Sequence, residues 1–360
     1  MNYSKNKSNE NNSDTTIYDI ASYLNISAST VSRALNNKNT VNTKTRKKVI
    51  EAAKLLNYTP NIAARYLKTQ KANQIMLSMP YIADEFYVDM ISAVQAVAKS
   101  NGYSLILEYT EDDVEEEIKI IRNVKKNFID GLIMISLNFT QEHIREIEKL
   151  NLPVVLSSIC KNRIIGGKGS FDYVGVDTKQ GIYLATKHLI EQGHTKIGFI
   201  GHDISTQTGE ERYKGFCLAM NDSGLFINKE YIITTGKFSI TFGYETGLAF
   251  AKMRDFPTAI CASADLIVLG LYRAFEQENI RIPDDISIIG MDNISTTTLL
   301  KPKVSTVALS QGEIGRYAAN LIFKRLEGSK EPSQNIIFKP RLIIRESSIN
   351  ILRDRAEQKV

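Results

Sequence analysis

The sequence predicts a small, basic, all-helical head followed by an α/β body whose parallel sheets divide between two lobes. Three observations lead there. Residues 1–74 hold 12 Lys and Arg against four acids (Glu10, Asp14, Asp19 and Glu51), whereas the remainder is slightly acidic and the whole chain is +5. Residues 15–58 carry short stretches of apolar residues at helical spacing. From residue 74 onward, apolar runs of strand length alternate with helical stretches, the pattern of βα units. A length of 360 residues suffices for two or three domains with real cores, and 43% apolar with 24% charged residues is a globular composition. No apolar run approaches the ~18 residues needed to cross a bilayer, so no membrane association is expected. Cys160, Cys217 and Cys261 form no CxxC pair, which argues against a disulfide framework or structural zinc and fits a reducing cytoplasm.

The elements follow in order. Residues 1–14 are Asn, Ser and Lys rich without an apolar centre, and read as a disordered tail rather than a signal peptide. Thr16-Ile17-Tyr18-Asp19 has the form of a capping box, and Ile17, Ile20, Ala21 and Leu24 continue it as a helix. After a break at residues 25–28, with Ser27 as N-cap, a second helix spans about 28–36. Val31, Ala34 and Leu35 form its apolar stripe; Ser29, Ser32 and Arg33 form the opposite face, with Ala28 at its leading end. A third helix from about Thr43 to Leu56 turns Val49, Ile50, Ala53 and Leu56 inward and shows Arg46, Lys47 and Lys48 near its exposed start. Two short helices joined by a tight turn and backed by a third make a helix-turn-helix. Small residues on the second helix permit close approach to base edges, Arg33 offers a planar fork suited to guanine, and the basic cluster suits phosphates. Residues 61–67 form one or two turns of good helix formers, too short to be stable alone.

In the body, strands are expected at 74–79, 104–109, 131–136, 153–157, 173–176, 196–201, 231–235, 259–262, 286–290 and 304–308. Helices are expected at 86–100, 113–127, 140–150, 178–192, 209–223, 242–254, 265–279 and 311–327. So many strands exceed one comfortable sheet, and two lobes with a ligand cleft at the carboxyl ends of the strands follow. Phe86, Tyr87, Ser157, Ser158, Thr206, Thr208, Arg212, Phe238 and Asp292 all fall just past strand ends. An aromatic face, an Arg fork and a carboxylate are what a cyclic polyol requires. Each also has a plainer reading: core aromatics for Phe86, Tyr87 and Phe238, a structural ion pair for Arg212, a turn for Asp292.

Other chemistries are excluded. His143, His188, His194 and His202 lack ligand spacing, so no metal is expected. Gly166-Gly167-Lys168-Gly169-Ser170 lacks the rest of a phosphate-binding loop and reads as a flexible loop. No GxSxG elbow or placeable acid–base pair appears, so neither an enzyme nor a cofactor is expected.

Three blocks carry a resemblance: Tyr18-Asp19-Ile20-Ala21; Ser27-Ala28-Ser29-Thr30-Val31-Ser32-Arg33-Ala34-Leu35-Asn36; and Asn57-Tyr58-Thr59-Pro60-Asn61-Ile62-Ala63-Ala64-Arg65-Tyr66-Leu67. In order and spacing they resemble the LacI/GalR family of bacterial transcription regulators. Gly193-His194, Arg212-Tyr213-Lys214-Gly215-Phe216, residues 282–293 and residues 302–307 extend the resemblance over about residues 15–346. It implies a body like periplasmic sugar-binding proteins, with two lobes joined by three crossovers. The implied domains are a head at 15–60, a hinge helix and linker at 61–74, and a body at 75–350. Within the body, lobe one takes 75–176 and 308–334, lobe two takes 177–307 and 335–350, and a tail follows at 351–360. Leu67 would match the hinge leucine that wedges into the minor groove. Ala28, Ser29 and Arg33 would read bases. Tyr87, Ser158, Thr206, Thr208, Arg212, Phe238 and Asp292 would contact effector. Asp265 lies where the family commonly reads Asn-Asp, with Ala264 here in place of the amide.

The expectation is a cytoplasmic, nucleoid-associated homodimer that binds double-stranded operator DNA, a repressor of carbohydrate-utilisation genes gated by a sugar or sugar phosphate. The alternatives are a global carbon-catabolite regulator gated by a phosphorylated carrier protein, a sugar-binding protein, or a sugar-processing α/β enzyme.

Overall fold

The computed structural model describes residues 15–35, 41–59, 71–81, 85–158 and 171–348. Leu67, the expected tails at 1–14 and 351–360, and the glycine-rich Gly166–Ser170 stretch lie outside those residues. The chain divides into two compact units between Ala72 and Asn73.

The first unit contains α1 (Ile17–Leu24), α2 (Ala28–Leu35) and α3 (Thr43–Leu55). The capping box forms as expected: the Thr16 backbone N–H and hydroxyl each donate to Asp19 Oδ2 at 2.7 Å. Asn25 ends α1 in the left-handed region at φ 52°, a conformation Asn tolerates. Ser27 accepts from the Thr30 N–H at 3.2 Å and starts α2. Ile20, Ala21, Val31, Ala34, Val49 and Ala52 make the small core. The expected inward face of α3 needs one correction. Ile50 is 41% exposed, because the buried stripe runs through Val49, Ala52, Ala53 and Leu56, and Ile50 lies one residue, about 100°, off it.

The second unit holds two parallel sheets. The first is assembled from β1 (Gln74–Met79), β2 (Ser104–Tyr109), β3 (Gly131–Ser136), β4 (Val154–Ser158), β5 (Asp172–Val176) and β11 (Asn335–Phe338), in the order β11-β5-β4-β3-β1-β2. The second comprises β6 (Ile197–His202), β7 (Ile232–Gly236), β8 (Ala259–Ala262) and β9 (Ser287–Ile289), in the order β7-β6-β8-β9. β10 (Thr306–Ala308) pairs antiparallel with β12 (Arg341–Ile343). Central strands such as β3 and β6 are buried along their whole length, as parallel strands covered on both faces must be.

The covering helices are α4 (Val88–Ser100), α5 (Val114–Asn123), α6 (Gln141–Glu148) and α11 (Gln311–Leu326) in the first lobe, and α7 (Thr178–Glu191), α8 (Gln207–Asp222), α9 (Ile240–Ala251) and α10 (Asp265–Gln277) in the second. α9 and α10 touch backbone to backbone through glycine: a Cβ on Gly243 would lie 2.1 Å from the Ile267 carbonyl oxygen, and one on Gly270 would lie 2.1 Å from that of Ile240.

The lobe boundary differs from expectation at one place. The resemblance implies that residues 335–338 fall in the second lobe, but β11 pairs parallel with β5, with Asn335 opposite Tyr173 and Phe338 opposite Val176, and so belongs to the first. As an edge strand with alternating burial it lacks the continuous apolar run of its neighbours.

Candidate functional site

Two clusters gather the expected residues, one in each unit. In the head, Ala28, Ser29, Ser32 and Arg33 share α2. Ser29 and Arg33 are exposed, and Ala28 and Ser32 half-buried. At the start of the helix the Ser27 hydroxyl lies 2.9 Å from that of Ser29 and 2.8 Å from that of Thr30. Arg33 Nε donates to the Ser29 carbonyl at 3.2 Å, which lays the guanidinium along the exposed face of its own helix. Lys47 and Lys48 are exposed on α3. Arg46 is half-buried, and its Nε donates to the Ala34 carbonyl at 3.4 Å, so it ties α3 to the end of α2. A helix start rich in hydroxyls and an Arg fork, together with exposed lysines on α3, is a surface for phosphates and base edges.

The body cluster centres on Arg212 of α8, which is 2% exposed. Thr206 caps that helix: its hydroxyl accepts from the Gly209 N–H at 3.1 Å and donates to the Asp203 carbonyl at 2.6 Å. Arg212 Nη1 donates to the Ser263 carbonyl at the end of β8. Its guanidinium carbon stands 4.6 Å from the centre of the Phe238 ring, and Nη2 is 4.0 Å from Asp292 Oδ1. The His202 ring packs on Phe238 at 4.6 Å, with Nδ1 2.9 Å from the Thr206 hydroxyl.

Asp292 sits at φ 123° and Asn293 at φ 61°, a strained pair of the kind that surrounding structure must hold in place. Several elements hold it. The Asp292 N–H donates to Val307 O at 2.8 Å, its carbonyl accepts from Gln311 Nε2 at 2.8 Å, and Arg345 Nη2 donates to Asn293 Oδ1 at 2.6 Å. Asp265 lies behind this turn, fully buried. It accepts from the Thr306 hydroxyl at 2.7 Å and the Ile294 N–H at 3.1 Å, while its own N–H lies 3.4 Å from Asp292 Oδ2. Burial pushes the Asp265 carboxyl up to about 7, against the pull of its hydrogen bonds from Thr306 and Ile294.

Arg212, Phe238, Thr206 and Asp292 therefore converge, and Asp265 supports them from behind. Thr208 is placed differently: its buried hydroxyl donates to the Leu137 carbonyl of the first lobe at 3.1 Å. Phe86 and Tyr87 stand edge to face at 4.8 Å on the 3-10 turn Glu85–Tyr87 and pack with the first lobe's core. Ser158 is the last residue of β4. Sequence reading missed His202 and Asp112, whose Nε2 and Oδ2 are 3.6 Å apart across the lobes. The available signal was that His202 ends a strand.

A model of the bacterial regulatory proteins of the lacI family matches residues 16–61, and one of the periplasmic binding protein-like domain matches residues 186–348. The HTH-type transcriptional repressor PurR of Pasteurella multocida (strain Pm70) is 32% identical over 333 residues, 92% of this chain and 98% of its own. Catabolite control protein A of Priestia megaterium is 29% identical over 334 residues, 92% of this chain and 99% of its own. Among solved structures, the lac repressor dimer bound to operator and the anti-inducer ONPF matches with a TM-score of 0.81 at 22% identity, over 94% of this chain and 100% of that one, a shared fold.

A helix-turn-helix head followed by a two-lobe α/β body of this kind defines a DNA-binding transcriptional regulator. The chain belongs to the lacI family of bacterial regulatory proteins.

Proposed function

We propose that this regulator is a cytoplasmic homodimeric repressor of carbohydrate-utilisation genes, and that an uncharged sugar bound at the Arg212 cluster sets its affinity for operator DNA. The observation that carries the reading is the placement of Arg212 between a flat aromatic face and the strained Asp292. A pyranose or furanose ring offers C–H groups to Phe238 and neighbouring hydroxyls to the guanidinium fork and the carboxylate.

Charge balance favours a neutral ligand over a sugar phosphate. Arg212 faces Asp292 and His202 faces Asp112, so the buried cation already has an acidic neighbour. A phosphate would add about two negative charges beside these carboxylates. Ala28, Ser29, Ser32 and Arg33 are assigned to base reading, and Lys47 and Lys48 to phosphates, with Arg46 contributing from its place at the end of α2.

The test is a thermal-shift screen of sugars, sugar phosphates and a phosphorylated carrier protein, followed by operator binding with each hit. A ligand of the folded state raises the melting temperature. A neutral sugar that shifts both melting and operator affinity is the expected result. A response confined to phosphorylated sugars, or to the carrier protein, would overturn the assignment.

A further inference from the structure

Glu85, which opens the turn after β1, reaches from the first lobe to the second. Its Oε1 accepts from the Ser295 N–H at 2.7 Å, from the Thr296 N–H at 3.3 Å and from the Ser295 hydroxyl; Oε2 accepts from the Thr296 hydroxyl at 2.6 Å. Ser295 and Thr296 begin the 3-10 turn Ser295–Thr298 that follows β9. The first N–H groups of any helical turn have no partner within the turn itself and call for an outside acceptor. Here the acceptor comes from 210 residues away in sequence and from the other sheet's lobe. Burial works against an ionised Glu85, but the hydrogen bonds from Ser295 and Thr296 outweigh it and hold the carboxyl below its ordinary value.

Other contacts among the described residues cross between the lobes, three of them being Thr208 to the Leu137 carbonyl, His202 to Asp112 at 3.6 Å, and Gln311 to the Asp292 carbonyl at 2.8 Å. Two of these are single hydrogen bonds between neutral groups, and the third is long. Glu85 by contrast accepts four bonds at a charged carboxylate, and such bonds are roughly twice as strong as neutral ones.

We propose that Glu85 is an interlobe latch: its carboxylate holds the two lobes together, and its release lets them part at contacts it does not touch. The latch is independent of which small molecule the body takes, so its test requires none. Hydrogen exchange and small-angle X-ray scattering are measured on the full chain, on Glu85→Gln and on the pair Ser295→Ala/Thr296→Ala. In Glu85→Gln, exchange at residues 295–296 is expected to rise about ten-fold with the loss of the charged acceptor. Exchange at residues 137–139 and 206–209 is expected to rise with it, the radius of gyration to increase, and strands β1, β3 and β6 to stay protected. A change confined to residues 295–298 would reduce Glu85 to a local cap and overturn the latch. Should Glu85→Gln lose protection throughout both sheets, the Ser295→Ala/Thr296→Ala pair decides, since it keeps the carboxylate and removes two donors. Remote loosening in that pair supports the latch, and its absence overturns it.

Discussion

His143 Nε2 lies 2.6 Å from Glu117 Oε2, and the two side chains are 0% and 1% exposed. The other ring nitrogen fixes the proton. His143 Nδ1 accepts from the Thr140 N–H at 3.1 Å, so Nε2 carries the hydrogen and donates to the carboxylate. The ring also stacks on Phe139 at 4.7 Å. One sealed contact thus joins α5 to α6 and fixes the tautomer.

Removing one member of this pair strands the other. Glu117→Ala is expected to cost about 1–3 kcal/mol, as leaving a buried neutral donor without its acceptor does, whereas replacing both members by apolar residues costs much less. Urea unfolding of the single and double variants measures the difference. Equal losses would show that packing around Phe139, rather than the pair, supplies the stability.

Arg212→Ala is expected to weaken effector binding by about ten- to one-hundred-fold, the loss of hydrogen bonds to a charged group, while operator binding without effector stays at the parent level. Calorimetry with a hit from the sugar screen, beside an operator titration, separates the two. Arg212→Lys should restore little, because an ammonium cannot reproduce a planar fork stacked on Phe238.

Asp265 gives a pH dependence whose sign follows from its raised carboxyl. Between its ordinary value of 3.8 and about 7, the folded protein keeps a proton that the unfolded chain has released. Stability must therefore fall as pH rises through that window and level off above it. Asp265→Asn should remove this slope. Denaturation midpoints of both proteins from pH 4.5 to 8 check it, and parallel slopes would show that the titration lies elsewhere.

In the head, base reading and phosphate contact part company experimentally. Arg33→Ala should cost about 1–3 kcal/mol on the preferred operator and relax preference at one base pair. Lys47→Ala should weaken all sequences alike and lower the salt slope by about one. Binding curves at several salt concentrations, on specific and scrambled duplexes, distinguish the two.

The head was legible because its signals are local. The capping box at Thr16 and Asp19, the Ser27 cap and the stripes of α1 and α2 each need only a few neighbouring residues. The βα alternation was equally plain where strands are buried on both faces. Sequence reading lost ground where a partner far along the chain decides. β11 is an edge strand recognisable only through its pairing with β5. Thr208, on paper a hydroxyl past a strand end, spends it on Leu137 of the other lobe. Nothing near Glu85 announces Ser295, and nothing near His202 announces Asp112. Ile50 shows the opposite failure: an apolar residue close to the right spacing, one step off the buried face.

The late arrival of β11 has a bearing on how the chain emerges during synthesis. β5 at Asp172–Val176 must wait for a neighbour at Asn335–Phe338, and until then one flank of the larger sheet presents unsatisfied peptide groups. A nascent or truncated chain ending before residue 335 would carry that open border into the crowded cell, where pairing with a stranger's strand is the standing hazard. Completion of the six-stranded sheet thus waits until after the whole four-stranded sheet has been made, although most of its own strands come first.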